Sequence, residues 1–166
     1  MKTAIQLYTL RNEAKKDLEG VLKTVSDAGY DGVELAGLYG LNGDQMKALL
    51  DKYGLRAISA HIGVDAAIKG ENFDDYKKIG IKYAIVPWTP KPTEQTAGET
   101  LDKIAAAVEN IKKAGFIPGY HNHAHEFDTF FYGERWYDII MKKSPTPWRS
   151  LIFAGLRSAA ATPSSI

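Results

Sequence analysis

The chain has 166 residues, 45 % hydrophobic and 25 % charged, the composition of an ordinary soluble globular domain. It is shorter than a complete (β/α)8 barrel, which takes about 250 residues and rarely fewer than about 200. Its 21 basic and 20 acidic residues leave a formal net charge of +1, against the basic excess that phosphate neutralisation demands, so no nucleic-acid partner is expected. The absence of cysteine excludes disulfides and thiolate metal sites and fits a cytoplasmic location. No apolar run nears the roughly 20 residues of a membrane span, and the N-terminus turns polar too soon for a signal peptide, so no membrane partner is expected.

The first expected element is a strand over residues 4–9, with Ile5 and Leu7 on one face and Gln6 and Tyr8 on the other. Leu18, Val21, Leu22, Val25 and Ala28 then fall on one stripe of an amphipathic helix. Gly29 caps it, and a second strand follows over residues 32–36, where Val33 and Leu35 flank Glu34. Met46, Leu49, Leu50 and Tyr53 predict a shorter helix with Asp44 as its N-cap. After Gly54 comes a third strand, Arg56–His61, in which Ile58 and Ala60 form the aliphatic face and oppose Ser59 and His61. Phe73, Tyr76 and Ile79 give a weaker helix, ended by Gly80 before a fourth strand over residues 83–88. Leu101, Ile104, Ala105, Val108 and Ile111 make a strong stripe before Gly115. In the fifth strand, residues 116–123, Ile117 and Gly119 share parity with His121 and His123, and Trp136, Ile139 and Ile140 suggest a last helix. The capping glycines recur at spacings of 25, 26 and 35 residues. Such strand–helix alternation with short connections signals βαβ units and a parallel sheet. After Lys143 there is no Asp, Glu or His; a run from Ser150 reads as a short sixth strand, and residues 158–166 read as disordered.

Each strand therefore has an aliphatic face and a second face that turns polar at its C-terminal end, where parallel α/β folds bind ligands. The four histidines sit at two such ends: His61 after the third strand, and His121, His123 and His125 after the fifth. His-x-His in extended chain sets two imidazoles on one side, about 6 to 7 Å apart, within reach of one Zn, Mn, Co or Fe ion. The plainer alternative is a pair of rings donating to carbonyls at a strand end. Glu34 is either a functional carboxylate or a glutamate on an exposed strand face. Trp88 either walls a polar-ligand pocket or packs in the core. Asp65, Arg11 and Gln6 are weaker candidates. Gly37, Gly40 and Gly43 match neither the P-loop nor the dinucleotide fingerprint, and there is no Gly-x-Ser-x-Gly elbow.

Four segments carry a family resemblance. They are Ile5-Gln6-Leu7-Tyr8-Thr9-Leu10-Arg11, Ala28-Gly29-Tyr30-Asp31-Gly32-Val33-Glu34-Leu35, Ser59-Ala60-His61-Ile62-Gly63 and Gly119-Tyr120-His121-Asn122-His123-Ala124-His125-Glu126-Phe127. In order and spacing, over about residues 2–143, the chain resembles the sugar phosphate isomerase/epimerase family. That family belongs to the xylose-isomerase-like TIM-barrel superfamily, which also contains apurinic-site nucleases of the endonuclease IV type. The resemblance implies an α/β fold in which residues 1–143 form about the first five βα units of a (β/α)8 TIM barrel. Residues 144–166 are then an atypical tail, non-native or disordered.

The implied activity is proton transfer next to a sugar carbonyl, assisted by a divalent metal (Mn, Mg, Co or Zn). A small sugar or sugar phosphate is the implied partner. His121 falls at the fifth-strand metal-ligand position. Glu34 and His61 match catalytic pocket positions, and Gln6, Trp88, His123 and Glu126 match substrate-binding ones. The family's later strands bring an aspartate, a histidine and a glutamate to the metal, so the expectation is a truncated and impaired protein whose coding sequence is interrupted near residue 143. Two alternatives stand beside it. One is a His-rich metal hydrolase built on His121, His123 and His125. The other is a non-catalytic half-barrel, a homo-oligomer formed through its open sheet edges.

Overall fold

A computed structural model describes residues 2–143; the sixth strand expected after Ser150 and the tail over residues 144–166 lie outside the described residues. Five strands form one sheet: β1 (Ala4–Gln6), β2 (Gly32–Leu35), β3 (Arg56–His61), β4 (Tyr83–Val86) and β5 (Ile117–Tyr120). They lie in chain order, and every pairing is parallel. Between and after them run α1 (Arg11–Ala14), α2 (Leu18–Asp27), α3 (Gly43–Lys52), α4 (Val64–Lys69), α5 (Phe73–Ile79), α6 (Ala97–Lys113), α7 (Ala124–Asp128) and α8 (Trp136–Lys143). Sequential parallel strands joined by helices are the wall of a partial (β/α)8 barrel. Among the described residues, no helix is long and apolar enough to cross a membrane.

The core lies between the sheet and its helices. Val33, Leu35, Ala84 and Val86 on the strands are buried with Leu22, Val25, Met46, Leu50, Ile104, Val108 and Ile111 on the helices. Trp136 and Ile140, both fully or nearly fully buried, join α8 to this layer. The opposite face is not covered in the same way. There Ile58 and Ile117 remain 40 % and 45 % exposed. Ile85 shares that inner face and leans across Gly119, where an added Cβ would meet its Cδ1 at 2.3 Å.

Four local expectations are corrected. The first strand stops at Gln6, and Leu7–Leu10 curls into a 3-10 turn that buries Leu7 and leaves Tyr8 exposed. The helix α3 is capped by Asn42 rather than Asp44, because Asn42 and Gln45 satisfy each other's backbone N–H groups in a capping box. Asp44 sits in the first turn and pairs with Lys78 at 2.7 Å. A bulge in β3 sets Val33 opposite Ala57 but Glu34 opposite Ser59, so Ile58 is the extra residue. It turns to the inner face instead of the helix-covered one. Finally, β4 ends at Val86 and β5 at Tyr120, so Trp88, His121 and His123 lie in the loops that leave the sheet.

Candidate functional site at the strand rim

Register brings the first cluster together. Gln6 pairs with Glu34 across β1 and β2, and the bulge sets Ser59 opposite Glu34. The Gln6 amide donates to Glu34 Oε1 at 2.6 Å, and the Ser59 hydroxyl donates to Oε2 at 2.5 Å. His61 Nε2 lies 2.9 Å from Oε1 and 2.9 Å from the Gln6 amide nitrogen. Glu34 is only 5 % exposed. Burial pushes its carboxyl upward, but the hydrogen bonds from His61, Ser59 and Gln6 outweigh that and hold it below the ordinary glutamate value. The result is a buried, ionised carboxylate whose Oε1 faces the His61 imidazole while Oε2 is held by Ser59.

From His61 a ladder of rings runs along the rim. His61 and His121 stand 5.1 Å apart by ring centres, His121 and His123 5.0 Å, and His123 and His125 5.9 Å with near-parallel planes. Burial holds His121 below its ordinary value; the charges of His61 and His123 act in the same sense and Glu34 opposes them. At the far end lies Glu126, fully buried. Its Oε1 accepts from the Tyr120 hydroxyl at 3.0 Å and its Oε2 from the His123 backbone N–H at 2.6 Å. Thr89 Oγ1 completes that chain, 2.9 Å from the Tyr120 hydroxyl oxygen. Burial, then the Glu126 charge, raises Tyr120 far above its ordinary value and keeps it a donor.

Gln6, Tyr8, His61, Pro87, Trp88, His121 and His123 line a cavity of about 500 Å³. Trp88, 53 % exposed, also borders a neighbouring cavity of about 710 Å³ that includes Asp65. Thus Gln6, His61, Trp88, His121 and His123 converge on one pocket. Glu34 lies beneath it, bonded to Gln6 and His61, and Glu126 lies behind His123. Arg11 does not line the pocket; its guanidinium lies over the Tyr8 ring at 4.7 Å. Sequence reasoning missed Tyr8 and Tyr120 as site residues and gave Ser59 only a face. The bulge that aims Ser59 has no local signature, whereas Tyr120 directly precedes the histidine run.

The ring nitrogens His121 Nδ1, His123 Nδ1 and His125 Nε2 are buried and have no hydrogen-bond partner, as is Asn122 Oδ1. Buried polar atoms normally find partners, and a cation would meet the unpaired ring nitrogen of His121.

No family model and no curated protein matches the chain. Solved structures do. A sugar phosphate isomerase/epimerase from Parabacteroides distasonis is 23 % identical with a TM-score of 0.70, covering 86 % of this chain and 61 % of its own. An AP endonuclease of family 2 from Brucella melitensis is 15 % identical with a TM-score of 0.62, covering 89 % and 66 %. A xylose isomerase-like TIM barrel protein from Mycobacterium smegmatis, in complex with magnesium, is 11 % identical with a TM-score of 0.60, covering 89 % and 62 %. These likenesses show the fold, that of part of a TIM barrel. The chain spans about three-fifths of the length of these structures.

Proposed function

We propose that the rim is one side of a sugar isomerase/epimerase site, in which a small sugar or sugar phosphate lies in the pocket and His61 exchanges a proton at a carbon beside its carbonyl. The observation that carries this reading is the Glu34–His61 pair at the pocket floor. Glu34, held ionised by Gln6 and Ser59, fixes the His61 ring through Nε2. That leaves Nδ1 as the nitrogen that takes or gives the proton. Gln6 offers its side-chain carbonyl to substrate hydroxyls, and the exposed Trp88 ring offers a flat face to the apolar side of a sugar. His123 borders the pocket, and Glu126 positions it from behind. A divalent cation (Mn, Mg, Co or Zn) held at His121 supplies, when bound, Lewis-acid polarisation of the carbonyl.

The proposed division of the chain is an incomplete barrel domain over residues 1–143 and an atypical, non-native segment over residues 144–166. The loss of acidic residues and histidine after Lys143 supports it. Translating the downstream coding DNA in its other frames tests it: absence of further barrel strands there contradicts an interruption. Such a domain is impaired on its own and suits a reducing cytoplasm. The alternative is a non-catalytic half-barrel that associates through the edges of β1 and β5, which are open among the described residues. Sedimentation velocity separates the two: a dimer supports the alternative, and a strict monomer contradicts it.

The AP endonuclease likeness supplies a rival ligand class, disfavoured by the near-neutral charge. Calorimetric titration with ketose phosphates and with an abasic-site duplex separates them. The expected result is saturable sugar binding, weakened about tenfold or more by Trp88→Ala, a loss of about 1.4 kcal/mol. Binding of the duplex alone overturns the reading.

A further inference from the structure

We infer that His123, His125 and Glu126 form a divalent-cation site of their own, distinct from the His121 position. Nothing in the proton-transfer reading uses His125. Yet His123 Nδ1, His125 Nε2 and a Glu126 oxygen lie within 4.8 Å of one another. Glu126 Oε1 stands 3.4 Å from His125 Nε2 and 3.8 Å from His123 Nδ1. A tetrahedral ion with ligand bonds of about 2.1 Å sets its ligand atoms about 3.4 Å apart. Two of the three edges therefore match an ion at the centre, and both exceed a direct charge-assisted hydrogen bond.

The two nitrogens share a second property. Both are closed to solvent and make no hydrogen bond, although His123 faces the Glu126 backbone N–H across the cap of α7. A buried ring nitrogen without a partner is costly, and a cation meeting the lone pairs of two such near-parallel rings removes that cost. The carboxylate is already oriented, by the Tyr120 hydroxyl on Oε1 and the His123 N–H on Oε2, as outer partners of a metal ligand are. His121, though next along the ladder, is outside this group. Two imidazoles and one carboxylate select Zn²⁺ or Co²⁺ over Mg²⁺ or Ca²⁺, with one position left for water or a substrate oxygen.

The test is titration of the full chain with Co²⁺, followed by its visible d–d bands, and with Zn²⁺ in competition. One tight equivalent is expected at this three-ligand site, the single His121 imidazole adding only a weak later phase. His125→Ala weakens the tight phase at least about tenfold, whereas His121→Ala removes only the weak phase. Glu126→Gln, which keeps the Tyr120 contact, weakens the tight phase similarly. A Zn²⁺-dependent rise in Tm seen in the wild type and lost in His125→Ala, with the metal-free Tm of the variant unchanged, separates a lost ligand from a folding defect. Loss of binding in His121→Ala with retention in His125→Ala overturns the assignment, as does the absence of stoichiometric binding in the wild type. Sugar binding is read separately, by the calorimetric titration carried out on metal-free protein, so failure of the two readings is distinguishable.

Discussion

Glu34 shows how a single side chain ties strand register to chemistry. It is 5 % exposed and carries donors on both oxygens. Because its folded-state carboxyl titrates below the ordinary value of 4.5, the unfolded chain takes up the proton first as pH falls. The stabilisation it provides is therefore complete above that value and is lost as pH falls through the lower, folded one. Glu34→Gln is expected to cost about 1–3 kcal/mol near neutrality. Urea unfolding should show the gap between wild type and variant closing on acidification. A gap that holds constant with pH contradicts the direction of the shift. Ser59→Ala, which removes one donor from Oε2, moves the same profile by a smaller amount.

At the scale of the elements, what the sequence discloses is what is local. The apolar stripes of α2, α3 and α6 and the glycine caps are read along the chain itself, and the strands they separate are all present. The bulge at Ile58, the 3-10 turn after Gln6, the short α4 and the small hairpin of β6 (Phe130–Phe131) and β7 (Glu134–Arg135) depend on partners distant in sequence. The site divides in the same way. Gln6, His61, Trp88, His121 and His123 reach one pocket because strand ends converge in any parallel sheet. Ser59 and the Thr89–Tyr120–Glu126 chain needed the actual register.

Close packing between elements has one sharp test. Gly43 opens α3 directly against α5, and a Cβ there would lie 2.7 Å from the Asp75 Cα and carbonyl oxygen. Its N–H donates to Asp75 Oδ1 at 2.8 Å. Backbone cannot yield as a side-chain tip can, so Gly43→Ala is expected to lose about 1–3 kcal/mol by chemical denaturation. A neutral result would mean that α3 and α5 pack more loosely than described.

Over the whole molecule the two faces of the sheet differ. One is sealed by helices, while the other presents Ile58 and Ile117 to solvent and directs its polar ends to the rim. Parallel sheets are ordinarily covered on both faces, and the chain spans about three-fifths of the length of the barrels it resembles. The rim nevertheless carries a formed cluster: all four histidines stand in one ladder, anchored by a buried carboxylate at each end. That makes the ring resonances a direct report on the site, because no histidine lies anywhere else. In a titration with a ketose phosphate followed by histidine-ring NMR, the resonances of His61, His121 and His123 are expected to shift together and saturate. If all four rings stay unmoved while an abasic-site duplex shifts them, the rim is not a sugar site.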